Sequence, residues 1–140
     1  MNQTVKYSIL FLIGGTLYFF IEILWRGYSF MEMFFLGGLC FISIGLFSER
    51  YFTAKKPLLL QQGIACIIIT SLELIFGLVF NVWLGLNIWD YSNQTLNFMG
   101  QICLVYSILW FLLSLPAIIL YGYLNHWLFK EEKPIFRFIK

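Results

Sequence analysis

The sequence predicts an all-α membrane protein, a bundle of four transmembrane helices with both termini cytoplasmic. Three observations carry that reading. Hydrophobic residues make up 61% of the 140 and charged residues only 11%, which leaves no length for a separate soluble domain once the apolar runs are counted. Four apolar runs stand between short polar breaks, each close to the roughly 20 residues that cross a bilayer core. The basic residues alternate with these breaks: Lys6, Arg50, Lys55, Lys56, Lys130, Lys133, Arg137 and Lys140 fall on one side and Arg26 alone on the other. Such an asymmetry places the basic side in the cytoplasm, so the connections 26–29 and 85–97 face outward. Residues 1–140 are expected to form a single integral membrane domain, multi-pass in the cell membrane, with the lipid bilayer as its surroundings.

Helix 1 is expected over about residues 7–25, ending at the interfacial group Trp25, Arg26 and Tyr28. The run is too long for a signal peptide and lacks a small-residue cleavage site, so it should remain in the mature protein. Glu22 and Arg26 stand at i and i+4 and can pair near the bilayer edge. Helix 2 is expected over about 30–47, with Glu32 in its first turn, where the helix dipole favours an anion. Gly38 and Gly45 should let a neighbouring helix approach closely.

A hydrophilic loop then leads to Pro57 and helix 3, over about 58–84. Its only ionisable side chain is Glu73. Gly63, Cys66, Thr70, Glu73, Gly77 and Asn81 recur at helical spacing, so this small and polar stripe should face protein rather than lipid. Ile64, Ile67, Ile68, Leu72, Ile75 and Val79 would face acyl chains. Helix 4 is expected over about 98–123, with Cys103, Ser107, Trp110, Ser114, Ala117 and Tyr121 on one face and a bend at Pro116. Residues 126–140 alternate aromatic with basic side chains and are expected to lie along the headgroups as an interfacial tail. An ordered recurrence of Glu22, Tyr28, Phe30 and Cys40 as Glu73, Tyr91, Phe98 and Cys103 suggests a duplicated two-helix unit related by a pseudo-twofold along the membrane normal.

Several function classes fall away. A net charge of +2 offers no basic surface for nucleic acid. Cys40, Cys66 and Cys103 sit singly in different apolar runs, without a CxxC pair, so they read as small packing residues rather than a disulfide framework or a zinc site. No metal and no cofactor is expected. Counting 1.5 Å per residue puts Glu22 and Glu73 at similar heights, roughly 24 Å from the cytoplasmic side. Glu32, Asp90 and Arg26 lie on the outer turns of the same end. Four carboxylates and one guanidinium would then converge on an acidic cavity opening outward, with Tyr106 and Trp110 on its wall. The blander reading pairs Glu22 with Arg26, caps helix 2 with Glu32 and satisfies Glu73 with a carbonyl or Asn81.

Glu73 with Gly77, then Trp89-Asp90-Tyr91-Ser92, Asn97, Gly100, Ile102-Cys103-Leu104, Ser107 and Trp110 resemble the signature of the ABC-transporter type IV (CmpB-like) membrane family, whose animal relatives are the transmembrane protein 229 family. The resemblance spans about residues 20–123 and is most specific from Glu73 to Trp110. It departs over 29–45, where the Gly-Pro and Pro-x-Tyr-Gly elements frequent in bacterial members are absent. It implies a small multi-span protein with Gly77, Trp89, Tyr91, Ser92, Asn97 and Gly100 as a structural signature. No phosphate-binding glycine loop accompanies it.

The favoured function is a transport component or ligand-binding membrane protein with candidate ligand residues Glu22, Arg26, Glu32, Glu73, Asp90 and Trp110. Its alternative is a non-catalytic membrane scaffold or partner subunit, as a homo-oligomer or with another membrane protein. An intramembrane lipid-modifying enzyme would need an acid and base in mutual reach, and only Glu22 and Glu73 offer them. The enzymatic reading therefore ranks last.

Overall fold

The computed structural model describes residues 2–51 and 56–139, so Lys55 and Lys140 of the basic set lie outside the described residues. Helix α1 covers Gln3–Arg26, α2 Met31–Tyr51, α3 Leu58–Phe76 and α4 Leu104–Phe129. A π-helical segment, Gly77–Trp83, prolongs α3, so that span reaches Trp83 without a break. All four are long and apolar enough to cross a membrane. The all-α fold with four membrane-spanning helices thus stands as the sequence predicts it.

The ends follow local chemistry. Helix α1 starts earlier than the apolar run because the Asn2 side chain accepts from Thr4 N at 2.8 Å and caps it. It stops at Gly27, whose φ of 86° places it in the left-handed region while its N–H reaches Ile23 O. Helix α4 begins at Leu104, six residues later than the hydropathy suggests from residue 98. The reason is a small antiparallel hairpin, β1 (Asn97–Phe98) against β2 (Ile102–Cys103), with Asn97 opposite Cys103. Met99 and Gly100 at its tip hold φ of 56° and 74°, which no helix accommodates.

Helices α1 and α2 form one close pair. Gly14 lies under Phe41 and Gly37 under Tyr18, so each helix offers a glycine pair to the other's rings. Gly38 meets Phe11 of α1, whereas Gly45 meets the Tyr121 ring of α4: the two glycines admit different neighbours. The polar stripe on α3 faces α4, with Cys66 Sγ 3.1 Å from Ser107 O, Thr70 Oγ1 3.5 Å from Ser107 Oγ and Gln62 Nε2 donating to Phe111 O at 3.0 Å. Gly63 is the exception, with open space where its side chain would stand. Ile67 and Ile75 are exposed for lipid as expected, but Leu72 packs inward on the Met33, Leu36 and Trp89 cluster. The predicted face of α4 is the buried one, with Trp110, Ser114 and Tyr121 all shielded.

At the end opposite the hairpin, Lys6 Nζ is held by Glu131 at 2.6 Å and Glu49 at 3.3 Å. Asn125 Nδ2 and Tyr7 Oη donate to the same Glu49 carboxylate at 3.0 and 3.2 Å. Both termini therefore sit at one end of the bundle. Helix α4 runs on to Phe129, past the expected end at 123, so residues 126–129 are helix and the tail is shorter than expected. It folds back so that Arg137 O accepts from Leu58 N at 2.5 Å and Phe138 O from Leu59 N at 3.3 Å. These carbonyls satisfy the first N–H groups of α3, which has no side-chain cap. Phe136 anchors the return, packing on Tyr123 and against Gly122, while Ile135, Phe138 and Ile139 stay exposed.

Candidate functional site

Glu73 is only 2% exposed and sits where α3 passes into its π segment. Gly77 N–H is shared between Glu73 O and Leu74 O, and the wider π turn follows it, as in the bond from Leu84 N to Val79 O at 2.9 Å. The carboxyl has two partners. Trp110 Nε1 donates to Oε1 at 3.1 Å, and the Tyr91 hydroxyl donates to Oε2 at 2.9 Å. Neither Asn81 nor a main-chain carbonyl is its partner, so the blander pairing considered for it is not the one formed. Asn81 instead donates to Gln101 Oε1 at 2.9 Å and accepts from Ile88 N at 2.6 Å.

The loop between α3 and α4 delivers Tyr91 to Glu73. Asp90 Oδ1 accepts from Ser92 N at 2.9 Å and turns the chain. Tyr91 N donates to Gly100 O at 2.7 Å, tying that turn to the hairpin tip. Asn97 closes the loop from within: its amide donates to Gln94 O at 2.9 Å and Ser92 O at 3.3 Å, and its oxygen accepts from Gly100 N at 2.9 Å. Gly100 needs its left-handed φ, and a Cβ there would also crowd Asp90 Oδ1. Trp89 is buried and donates to Gln101 O at 2.9 Å. Gln101 is the hub, since its Nε2 donates to Met99 O at 2.9 Å and its side chain covers Gly77. Tyr91 then stacks on Tyr106 with centroids 4.7 Å apart and planes 11° from parallel. The hydrogen bonds from Ser92 hold the Asp90 carboxyl below its usual range. Burial beside Glu73 pushes the Tyr91 phenol well up, so it stays a donor at neutral pH.

Glu22 forms a second polar centre. Arg26 Nε pairs with its Oε2 at 2.6 Å, and the Tyr18 hydroxyl donates to Oε1 at 3.0 Å. Arg26 also donates to Ile88 O at 2.9 Å and lies 4.6 Å from the Tyr28 ring centroid, fixing the end of α1 to the same loop. The two centres meet through an edge contact between Tyr18 and Trp110, centroids 5.9 Å apart. Trp25 Nε1 donates to the Tyr106 hydroxyl at 3.2 Å across the same opening.

The expected convergence of four carboxylates does not occur. Asp90 is exposed and occupied with its own turn, and Glu32 lies in the first turn of α2 and joins none of these bonds. What Glu73 lines is an apolar cleft between α1 and α4. One cavity of about 190 Å³ is walled by Leu17, Ile44, Leu113, Ala117 and Leu120 with Glu73 and Trp110. A second, of about 330 Å³, continues past Tyr18, Glu22, Trp25 and Tyr106. They share Tyr18, Ile21, Trp110, Leu113 and Pro116, so they are one opening. Along α4 it runs from Tyr106 to Leu120, about 21 Å at 1.5 Å per residue. Leu17, Ile21 and Leu112 on its rim are exposed within the candidate spans, so it opens on the side of the bundle. Among the described residues, no three His, Cys, Asp or Glu side chains gather to hold a metal ion.

Sequence reasoning missed Tyr18 and Gln101. Tyr18 lies four residues before Glu22, a spacing that pairs a hydroxyl with a carboxyl on a helix. Gln101 carried no signal except its place beside Gly100.

Four apolar spans around a laterally open cleft define a small polytopic membrane protein. A family model described as "Putative ABC-transporter type IV" matches residues 9–139, and the chain belongs to that family. No curated protein and no solved structure matches it.

Proposed function

We propose that the protein is a ligand-binding membrane protein that takes an amphiphile from the bilayer into the cleft between α1 and α4. One observation carries the reading: the cleft opens on the side of the bundle, its walls are apolar over most of its length, and its polar groups gather at the outer-loop end. That distribution matches a molecule with one tail and one head. Pockets of a few hundred cubic ångströms with a few convergent polar groups are the usual form of a small-molecule site. The acidic, outward-open cavity expected from the sequence gives way to an apolar, sideways-open one. A role in transport fits the same cleft as its membrane-side binding step. The outer loop then faces out and both termini face the cytoplasm, in keeping with the basic residues on the side of Lys6.

The test fills the cleft from its rim. Leu113 lines both cavities and makes no hydrogen bond to Glu73, so Leu113→Trp places an indole in the opening while leaving Tyr91 and Trp110 in the sequence. Saturable binding of decanol to the protein in nanodiscs, above the partitioning into empty nanodiscs, should weaken at least tenfold in this variant. Equal saturable binding by both proteins would refute the assignment to this cleft, as would an absence of saturable binding in the wild type.

A further inference from the structure

We infer that the cleft's ligand carries a positive charge on its head, an ammonium group with apolar substituents, seated between Glu73 and the rings of Tyr18 and Trp110; this rests on the amphiphile-binding reading above. The two acidic groups of the cleft differ in their charge balance. Glu22 has the Arg26 guanidinium at 2.6 Å and is neutralised within the protein. Glu73 has two neutral donors, and among the described residues no Lys, Arg or His pairs with it.

An indole N–H only donates, so Oε1 acts as an acceptor, and the Tyr91 hydroxyl donates to Oε2. Both oxygens therefore accept, and neither donor carries a charge. An anionic head would meet both Glu73 and Glu22. A cationic head would supply the opposite charge that Glu73, when ionised, lacks within the protein.

The surrounding rings fit the same ligand. Tyr18 and Trp110 meet edge to face, and Tyr106 stands 6.4 Å from Trp110 by centroid. Aromatic faces around a carboxylate attract a cation through their quadrupoles while tolerating its methyl or methylene groups. A primary ammonium would seek three hydrogen-bond acceptors, and the cleft wall between Leu17 and Leu120 supplies few, so alkylated ammonium suits it better. The tail then runs along Leu113, Ala117 and Leu120.

The experiment compares three chains of equal length, decyltrimethylammonium, decanol and decanoate, each measured by saturable binding to the protein in nanodiscs. Wild type should bind the ammonium at least about tenfold more tightly than decanol, with decanoate weakest. Glu73→Gln keeps the acceptor for Trp110 and should bring the ratio of ammonium to decanol affinity down to about one. Trp110→Phe, which keeps a ring, should retain part of it and guards against a folding defect in the first variant. Equal affinity for the ammonium and decanol would overturn the charge inference and leave the amphiphile reading standing. A preference that survives Glu73→Gln overturns the assignment to this carboxyl. Saturable binding of none of the three overturns both readings.

Discussion

Replacing Tyr91 with Phe isolates the bond between the outer loop and the membrane-buried carboxyl. The substitution removes one oxygen, which donates to Glu73 Oε2 at 2.9 Å, and leaves the ring stacked on Tyr106. Hydrogen bonds to charged groups contribute about 1.5–3 kcal/mol, and Glu73 is shielded enough for water to replace little of that. Tyr91→Phe should therefore lower stability by about 1.5–3 kcal/mol. A double-mutant cycle separates this bond from other effects. Tyr91→Phe and Glu73→Gln, alone and together, should show a coupling above about 1 kcal/mol, because each removes the charged bond the other depends on. The assay is reversible unfolding in mixed micelles, read by tryptophan fluorescence. Additivity within about 0.5 kcal/mol would refute the claim that Tyr91 and Glu73 hold the loop to the bundle.

Two glycines of opposite surroundings make an internally controlled pair. Gly37→Ala drives a methyl into the Tyr18 ring and should cost about 1–3 kcal/mol, whereas Gly63→Ala enters open space and should gain up to about 1 kcal/mol from helix propensity; the same unfolding assay reads both. At the other end, Lys6→Met removes both ion pairs to Glu49 and Glu131; because the two acidic partners are partly exposed, a loss of about 1–3 kcal/mol is expected, with faster proteolysis of the 130–139 return. Asp90 supplies a pH dependence. Its folded carboxyl titrates below the unfolded value, so its contribution is complete above the ordinary aspartate range and disappears as pH falls through the lowered folded value; Asp90→Asn should lose that dependence, followed by unfolding between pH 6 and about 2. Finally, a Cys placed at Ser92 should react with an impermeant maleimide from outside intact cells, and labelling only after the cytoplasmic face is opened would reverse the orientation.

The spans were legible because each is a long apolar run with its small and polar residues on one face. The stripe through Cys66, Thr70 and Glu73 and the face through Ser107, Trp110 and Tyr121 could be read directly, and the structure sets them against each other or the neighbouring helices. Where hydrophobicity alone set the boundary, it misled. Residues 98–103 are apolar enough to start a helix, yet the left-handed Met99 and Gly100 and the Asn97 side chain fold them into a hairpin. Nothing in composition distinguishes an aromatic side chain facing headgroups from one turned inward by a loop, as Trp89 and Tyr91 are.

The site was half legible. Glu73, Trp110 and the loop signature stood out as costly or specific residues in an apolar chain, and they do meet. Their grouping with Asp90 and Glu32 failed because similar height along the membrane normal says nothing about direction around a helix. The cleft was invisible for a related reason. It forms between α1 and α4 while α1 pairs with α2 through the Gly14 and Gly37 seam, a property of packing between distant segments. The charge balance of Glu22 could be read from its i,i+4 arginine, whereas that of Glu73 required knowing every neighbour.

The cleft's occupancy is most directly tested by photo-crosslinking in a bilayer. A decyl chain bearing a diazirine near its tail and a trimethylammonium head, irradiated with the protein in liposomes and mapped by mass spectrometry, reports where the tail lies. The structure predicts adducts on Leu113, Ala117 and Leu120, lost in Leu113→Trp and competed away by excess decyltrimethylammonium. Adducts spread evenly over the exposed residues Ile67, Ile75 and Ile108 outside the cleft, unaffected by the substitution or the competitor, would show that the chain merely bathes the bundle and would contradict the account.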